Sequence, residues 1–311
     1  MASRAQRTGG RMILHNDLSG LRVVAVHAHP DDEAITTGGA LHHLATRGAD
    51  VTVVTCTLGE QGEVIGETWQ QLVNGDADQL GGFRIHELLS SLRILGASGC
   101  FLGGAGRWRD SGMVGDPAND HPRSFVRSGD QAEEQLVEIF TMLRPHLVIT
   151  YGPDGGYGHP DHIRAHEITH GAAGRVEGIQ RILWAVTGRT DLQAGLDAIS
   201  AVPTGWRAAG DDELACQDRV DFALELDDRA YHAKVESMRA HATQLWIADG
   251  GVSDTNPHAA FAEVTDRAAA PVVFALSNLI AQPVMRREHY QLGAGTAFPA
   301  DAQGPADGLQ W

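Results

Sequence analysis

The sequence predicts an α/β fold: a Rossmann-like, doubly wound, mostly parallel sheet with a smaller mixed α+β C-terminal portion. Three observations carry this. Five short apolar, largely β-branched runs recur along the first 190 residues, each with the length of a buried strand. Segments of helical period separate them, as in consecutive βαβ units. The densest packets of His and Asp directly follow the first and fourth runs, and open parallel sheets bind ligands beyond the carboxyl ends of their strands.

Residues 21–28 (LRVVAVHA) read as the first buried strand. A short helix follows over 38–47, with Leu41, Leu44 and Ala45 on one face and Gly48 to stop it. Residues 51–57 (VTVVTCT) form the second strand. Ile85, Leu88, Leu89, Leu92 and Leu95 recur at helical spacing, so a helix is predicted over 83–95, ended by Gly96. Residues 100–102 give a short third strand. A helix over 131–143, striped by Leu136, Ile139, Phe140 and Leu143, stops at Arg144-Pro145 before the fourth strand, 146–151. Residues 160–173 are helical again, and 182–186 form the fifth strand. Beyond about residue 190 the alternation weakens, and only 228–241 reads as a good helix. The expected organisation is a loosely ordered segment 1–20, a Rossmann-like catalytic domain 21–190, a smaller portion 191–292 closing over the site, and a loosely ordered tail 293–311 rich in Gly, Ala and polar residues.

Composition narrows the function. Forty Asp and Glu against 24 Lys and Arg leave a formal net charge of −16. Nucleic acid and anionic membrane both reward clustered Lys and Arg, so neither is expected as a partner; a neutral or cationic small molecule fits. No run approaches the roughly 18 apolar residues of a membrane span, and the first twenty residues hold no apolar stretch suited to a signal peptide. Cys56, Cys100 and Cys216 lie far apart without a CxxC pair, and the first two sit in apolar runs as core thiols. That usage suits a reducing compartment. A cytoplasmic protein is expected.

The first strand runs into His27-Ala28-His29-Pro30-Asp31-Asp32-Glu33, and the fourth into a Gly-rich turn that ends in His159-Pro160-Asp161-His162. Imidazole and carboxylate are the donors a borderline cation such as zinc takes, and catalytic zinc keeps three protein ligands with one position open for water. His162, His166 and His170 follow one another at i, i+4 and i+8, but the glutamate of H-E-x-x-H is missing. His166 and His170 therefore read as lying behind the metal or facing solvent.

Ala28-His29-Pro30-Asp31-Asp32-Glu33 after a buried strand, with His159-Pro160-Asp161-His162 about 130 residues later, resembles the zinc-dependent N-acetylglucosaminyl deacetylase family. The resemblance extends to GEQGEVIGETW at 59–69, the helix at 78–96, GGAGRWRDSGM at 103–113 and HATQ at 241–244. It covers residues 20–190 well and 228–292 in patches. It implies one Zn²⁺ per chain held by His29, Asp32 and His162, with Asp31 as general base. The implied activity is hydrolysis of the acetamide of an amino sugar, of the N-acetylglucosaminyl-inositol type. The alternative within the family is a mycothiol S-conjugate amidase, which would use the same metal and base on a larger amide.

The chemistry agrees with this division, because adjacent carboxylates leave a turn in different directions: Asp32 can grip the metal while Asp31 faces the water. Amide hydrolysis also needs the oxyanion stabilised and the amine protonated. Tyr157 and His159 are placed for the first, and His159 is the candidate general acid. Asp161 either orients the His159 imidazole or caps the helix that begins at Pro160. By the resemblance, Arg84 and Asp110 contact sugar or inositol hydroxyls, with Glu63 nearby, while Trp108 and Met113 line the pocket or pack. The C-terminal half is expected to lend His289 or Tyr290 to the site. A His/Asp/His set accepts Fe²⁺ as well as Zn²⁺.

Two other readings fit less well. His27-Ala28-His29 resembles the H-x-H of amidohydrolase barrels, but five strand–helix units fall short of the eight such a barrel needs. A non-catalytic nucleotide-binding module would carry G-x-G-x-x-G after the first strand, where HAHPDDE stands.

Overall fold

The computed structural model describes residues 17–311; most of the expected N-terminal segment, residues 1–16, lies outside it. The first half alternates as expected: β1 (Arg22–His27), α1 (Asp32–Thr46), β2 (Asp50–Thr55), α2 (Leu80–Leu95), β3 (Ser98–Phe101), α3 (Gly129–Leu143), β4 (Leu147–Tyr151), α4 (Pro160–Ala173) and β5 (Arg181–Val186). The second half adds α5 (Arg189–Ala198), β6 (Ile199–Ala201), β7 (Phe222–Glu225), α6 (Asp228–Ala240), β8 (Trp246–Ile247), β9 (Glu263–Val264), β10 (Val272–Ala275), β11 (Gln282–Val284) and β12 (Arg287–Gly295).

The central sheet runs β3-β2-β1-β4-β5-β12-β7. Its first five strands are parallel, and β12 is antiparallel to both its neighbours. Every residue of β4 is buried, as befits a parallel strand covered on both faces. One apolar layer lies between the sheet and α1, α2 and α6, with Leu41, Leu44, Leu95 and Met238 fully enclosed. The other lies beneath α3 and α4, around Leu136, Phe140 and Ile168. The chain leaves β1 for β2 on one side and β4 for β5 on the other, so the crevice at the carboxyl ends of β1 and β4 is the point where the winding reverses, the place such sheets bind ligands. Both His/Asp packets open there.

The structure moves three boundaries. Helix α1 starts at Asp32, six residues before the sequence suggested, because the polar DEAITT stretch is the helix's own largely buried first turns; carboxylates there suit the positive end of the helix. Residue 190 does not divide the molecule, since β7 and β12 complete the same sheet. Only small antiparallel sheets, β11-β10-β8 and β6-β9, stand apart from it. The tail is packed: Ala306 and Leu309 are buried in the main core. Arg181, fully buried at the start of β5, holds the tail by donating to the carbonyls of Thr296, Ala297, Pro305 and Asp307 at 2.7–3.0 Å. Its guanidinium also lies 4.1 Å from the Phe298 ring centroid. Arg181→Met should strip these carbonyls of their donor, lower stability by about 2–4 kcal/mol, and make the chain beyond residue 295 sensitive to protease; an unchanged urea midpoint would show that the tail packs without it.

No helix among the described residues is long and apolar enough to cross a membrane.

Candidate active site

Asp31, between β1 and α1, has φ 121° and ψ −30°, a conformation L residues rarely adopt, at a cost of about 1–3 kcal/mol. The turn it makes sends Asp31 and Asp32 in different directions. Asp32 Oδ2 accepts the His29 N–H at 2.9 Å and the Tyr151 hydroxyl at 2.7 Å. Tyr151 Oη in turn accepts the Ala28 N–H at 2.7 Å, tying the end of β4 to the end of β1. On the facing loop, Gly155 has φ 65°, and a Cβ there would lie 2.8 Å from the Cβ of His162. Only glycine lets this turn approach α4 so closely, and its carbonyl receives His162 Nδ1 at 3.0 Å.

These contacts converge three donors. His162 Nε2 and His29 Nδ1 are 3.3 Å apart; His29 Nδ1 and Asp32 Oδ2, 3.4 Å; His162 Nε2 and Asp32 Oδ1, 3.5 Å. Tetrahedral bonds of 2.0–2.2 Å set ligand atoms about 3.3–3.6 Å apart; the two Asp32 distances run to different carboxylate oxygens, and one ligand atom from each of the three residues lies within 4.8 Å of the others, near enough to gather around one cation. Each imidazole also spends its other nitrogen on a fixed acceptor, His162 on the Gly155 carbonyl and His29 Nε2 on Asp161 Oδ2 at 3.2 Å. Such partners set the ring orientation and turn the lone pair toward a metal. His29, Asp110 and His159 also lie within metal-binding reach of one another; the His29 nitrogen 3.6 Å from Asp110, Nε2, is the one already bonded to Asp161.

The charges are strongly coupled. Burial opposes a charge on His29, yet Asp110, then Asp161 and Asp32, outweigh it and hold the imidazole well above the usual range. Burial pushes His162 down to about 4, only partly offset by Asp32. Asp32 is itself buried, but His162 and His29 keep it well below the ordinary carboxylate range. Asp31 goes the other way: burial raises it to about 7, with Arg84 opposing and Asp32 adding. Two adjacent carboxylates are thus driven apart, one toward ligand and one toward base.

The remaining expected residues distribute as follows. His159 is the N-cap of α4, its Nδ1 accepting the Asp161 N–H at 3.1 Å. Burial, with His29 and His162 adding, lowers it to about 4. The cap is therefore His159 and not Asp161. The Asp161 carboxylate, fully buried, serves His29 and the Ser111 N–H rather than the His159 ring, because the first turn of α4 aims it back under β1. Tyr157 lies at the mouth, 58% exposed, edge-on to His159 and His162. Arg84 is not free for a sugar hydroxyl: its guanidinium donates to Asp31 Oδ2 at 2.9 Å, to the Gly59 carbonyl at 2.9 Å and to the Pro30 carbonyl. Asp110 is 3.6 Å from His29 Nε2 and accepts the N–H groups of Gly112 and Gln61. Glu63 is exposed, and only its carbonyl is engaged, by Gln244. Trp108 packs in the core, while Met113 is half exposed. His27 bonds Thr37 and turns away from the donors. His166 takes the Tyr151 carbonyl and His170 accepts from Trp184, so neither reaches the trio.

His289 and Tyr290 are also outside the site. His289 pairs with Asp191 at 2.8 Å and Tyr290 donates to Glu288, both on β12, three strands from β1. Sequence reasoning missed Tyr151, Glu33 and Glu60. Glu60, buried beside Asp110, accepts the Asp110 N–H at 3.0 Å. Tyr151 ends a strand in the same register as the first packet, the one signal that pointed to it.

With this geometry in hand, comparison with known proteins is direct. The family described as PIG-L, GlcNAc-PI de-N-acetylase, matches residues 24–173. A 1D-myo-inositol 2-acetamido-2-deoxy-alpha-D-glucopyranoside deacetylase of Corynebacterium glutamicum (strain R) is 70% identical over 299 residues, 96% of this chain and 100% of the relative. Proteins of the same name from Corynebacterium diphtheriae and Nocardia farcinica are 66% and 47% identical, over 94% and 91% of this chain and 99% and 93% of theirs. Among solved structures, the N,N'-diacetylchitobiose deacetylase of Pyrococcus horikoshii is 18% identical with a TM-score of 0.49, covering 71% of this chain and 70% of that one. The chain belongs to the PIG-L family of de-N-acetylases.

Proposed function

We infer that the protein is a metal-dependent deacetylase of mycothiol biosynthesis that hydrolyses the acetamide of N-acetylglucosaminyl-inositol, the compound named in its relatives, to acetate and glucosaminyl-inositol. The observation that carries this reading is the trio His29, Asp32 and His162, spaced at 3.3–3.5 Å, with a raised carboxylate beside it. Near-full-length relatives that carry this substrate in their names support it.

We assign zinc to the trio, since two imidazoles and a carboxylate with each outer nitrogen fixed match its donor preference; the same set accepts iron(II). When bound, the metal polarises the amide carbonyl and lowers the pKa of the attacking water to about 7. The chain supplies the rest. Asp31, its carboxylate aimed by Arg84, takes the proton from water. Tyr157 and His159, at the open side of the trio, face the oxyanion. Asp31 returns that proton to the departing amine, while His159, neutral and with its Nδ1 accepting the Asp161 N–H, carries its hydrogen on Nε2 and offers it to the oxyanion. Asp161 holds His29, and Asp110 with Glu60 braces the wall beside it. Met113 and Tyr157 offer the rim a sugar ring would meet, with Asp110 and Glu63 the polar groups nearby. A cytoplasmic location accords with three free cysteines.

The test is amine release by the metal-loaded protein from N-acetylglucosaminyl-inositol and from an intact mycothiol S-conjugate, with and without chelator. Chelator-sensitive release mainly from the first is expected, and it should return on adding Zn²⁺ or Fe²⁺ to the stripped protein. Preference for the conjugate would make the enzyme an S-conjugate amidase on the same site. Release that ignores the chelator would remove the metal from the mechanism.

A further inference from the structure

Glu33 and His241 take no part in the chemistry above, yet both side chains are fully enclosed. Glu33 lies in the first turn of α1, two residues after the base. Its Oε2 accepts the Asp31 N–H at 3.0 Å. Its Oε1 accepts His241 Nε2 at 2.6 Å and the Ser91 hydroxyl at 2.5 Å. One carboxylate therefore gathers donors from the loop after β1, from α2 and from the residue after α6.

Asp31 precedes the first turn of α1, so its N–H has no carbonyl four residues back in the helix to serve it, and Glu33 is its acceptor. That bond restrains a residue at φ 121°. Arg84 fixes the other end of the same residue, the carboxylate. The base is held at both ends, and one holder is fastened to the second half of the chain.

His241 opens the HATQ segment, to which no role has yet fallen. Thr243 donates from both N and Oγ1 to Glu87 at 2.8 and 2.7 Å, and Gln244 donates to the Glu63 carbonyl at 2.7 Å. The segment is thus fastened to α2 and to the 59–69 loop before its imidazole reaches Glu33. His241 Nδ1 has no partner among the described residues, so within them Glu33 is the ring's single polar tether.

We infer that Glu33 and His241 are positioning residues for Asp31, and that the second half of the chain acts on catalysis by this route rather than by touching the sugar. The inference rests on Asp31 being the base. Loss of the His241 donor lets the Glu33 carboxylate rotate away, the Asp31 N–H loses its acceptor, and the turn relaxes toward ordinary φ with the carboxylate off the attacking water. A displacement of about 1 Å costs about 10²-fold in rate.

His241→Leu keeps the volume and removes the donor; His241→Gln keeps an N–H at similar reach. Steady-state constants, metal content and melting temperature are measured for both, alone and with Asp31→Asn. His241→Leu should lower kcat about 10- to 100-fold, leave KM within about twofold and metal content unchanged, while His241→Gln regains most of kcat. With Asp31→Asn present, His241→Leu should lower the residual rate no further, because residues acting as one unit are not additive. A native kcat in folded His241→Leu, the same factor on both backgrounds, or metal lost in step with activity would each overturn the inference. If His241→Leu does not fold, Ser91→Ala removes the other Oε1 donor, and a severalfold drop in kcat at constant KM is expected; no drop overturns the inference. Substantial activity in Asp31→Asn alone would instead sink the base assignment, whatever His241 does.

Discussion

Asp31→Asn should take up metal as the native protein does and lose turnover by about 10²- to 10⁴-fold, the usual contribution of a general base. Asp31 is not among the three converging donors, and asparagine is isosteric, so its amide oxygen can still accept from Arg84 and the turn keeps its shape. What disappears is the capacity to take a proton. The surroundings of Asp31 suit it to that role, since burial raises it to about 7, near the operating pH, where a base is strong enough to act and still about half ionised. The sign follows. The base works as carboxylate, so the native rate falls as pH falls through its pKa. A cation held by the neighbouring trio favours the carboxylate, which places this acid limb below 7. Asp31→Asn should flatten the limb as well as lower the plateau. Metal analysis beside a pH–rate profile decides the matter: full metal with a native rate would remove Asp31 from the mechanism, and lost metal would make it a ligand.

Much of the fold was legible because its strands are buried on both faces and read as unbroken β-branched runs, VVAV in β1 and LVIT in β4. The two His/Asp packets were legible because they follow β1 and β4 directly, where local sequence and position at the crevice coincide; the resemblance then singled out His29, Asp32 and His162 within them. Helix α1 was seen too short because a helix whose first turn faces an active site buries carboxylates, and DDE looks like loop to a reading based on apolar period. Strand β12, REHYQLGAG, went unseen for the opposite reason: it lies antiparallel near the sheet edge and ends in small residues with no β-branched run.

The rest depended on distance along the chain. Asp161 meets His29 across 132 residues, and His241 meets Glu33 across 208. No local period carries such pairings, so Asp161 was matched to His159, two residues away. Arg84 was given to the sugar by the resemblance; only the packing of α2 against the loop after β1 shows three acceptors already in place. Polar residues are read poorly from sequence where the partner is another buried residue far along the chain.

His162→Ala should cost far more metal than the roughly 10- to 100-fold that loss of an outer partner costs, and activity should go with it. His162 is the donor that comes from the second packet; without it His29 and Asp32, both from the first, are left with an open half-sphere. The proton balance gives an independent readout. In the metal-free site His162 is already neutral, with burial holding it at about 4. His29 is protonated, because Asp110, Asp161 and Asp32 together override its burial and keep it well above the usual range. A metal must displace that proton, so native affinity should fall as pH falls, starting from above the ordinary histidine range. Titrating metal into stripped native protein at neutral pH in buffers of different ionisation enthalpy should therefore show more than one proton released per metal, one from His29 and a fraction from Asp31, which ionises more fully beside the cation; in Asp31→Asn the release should fall to about one. Asp110→Asn removes the strongest of the charges that hold the proton on His29, so it should release fewer protons and bind metal with a weaker pH dependence. If instead native protein took up metal without releasing a proton, His29 would already be neutral, and the acidic residues around it would serve to orient the ring and not to charge it.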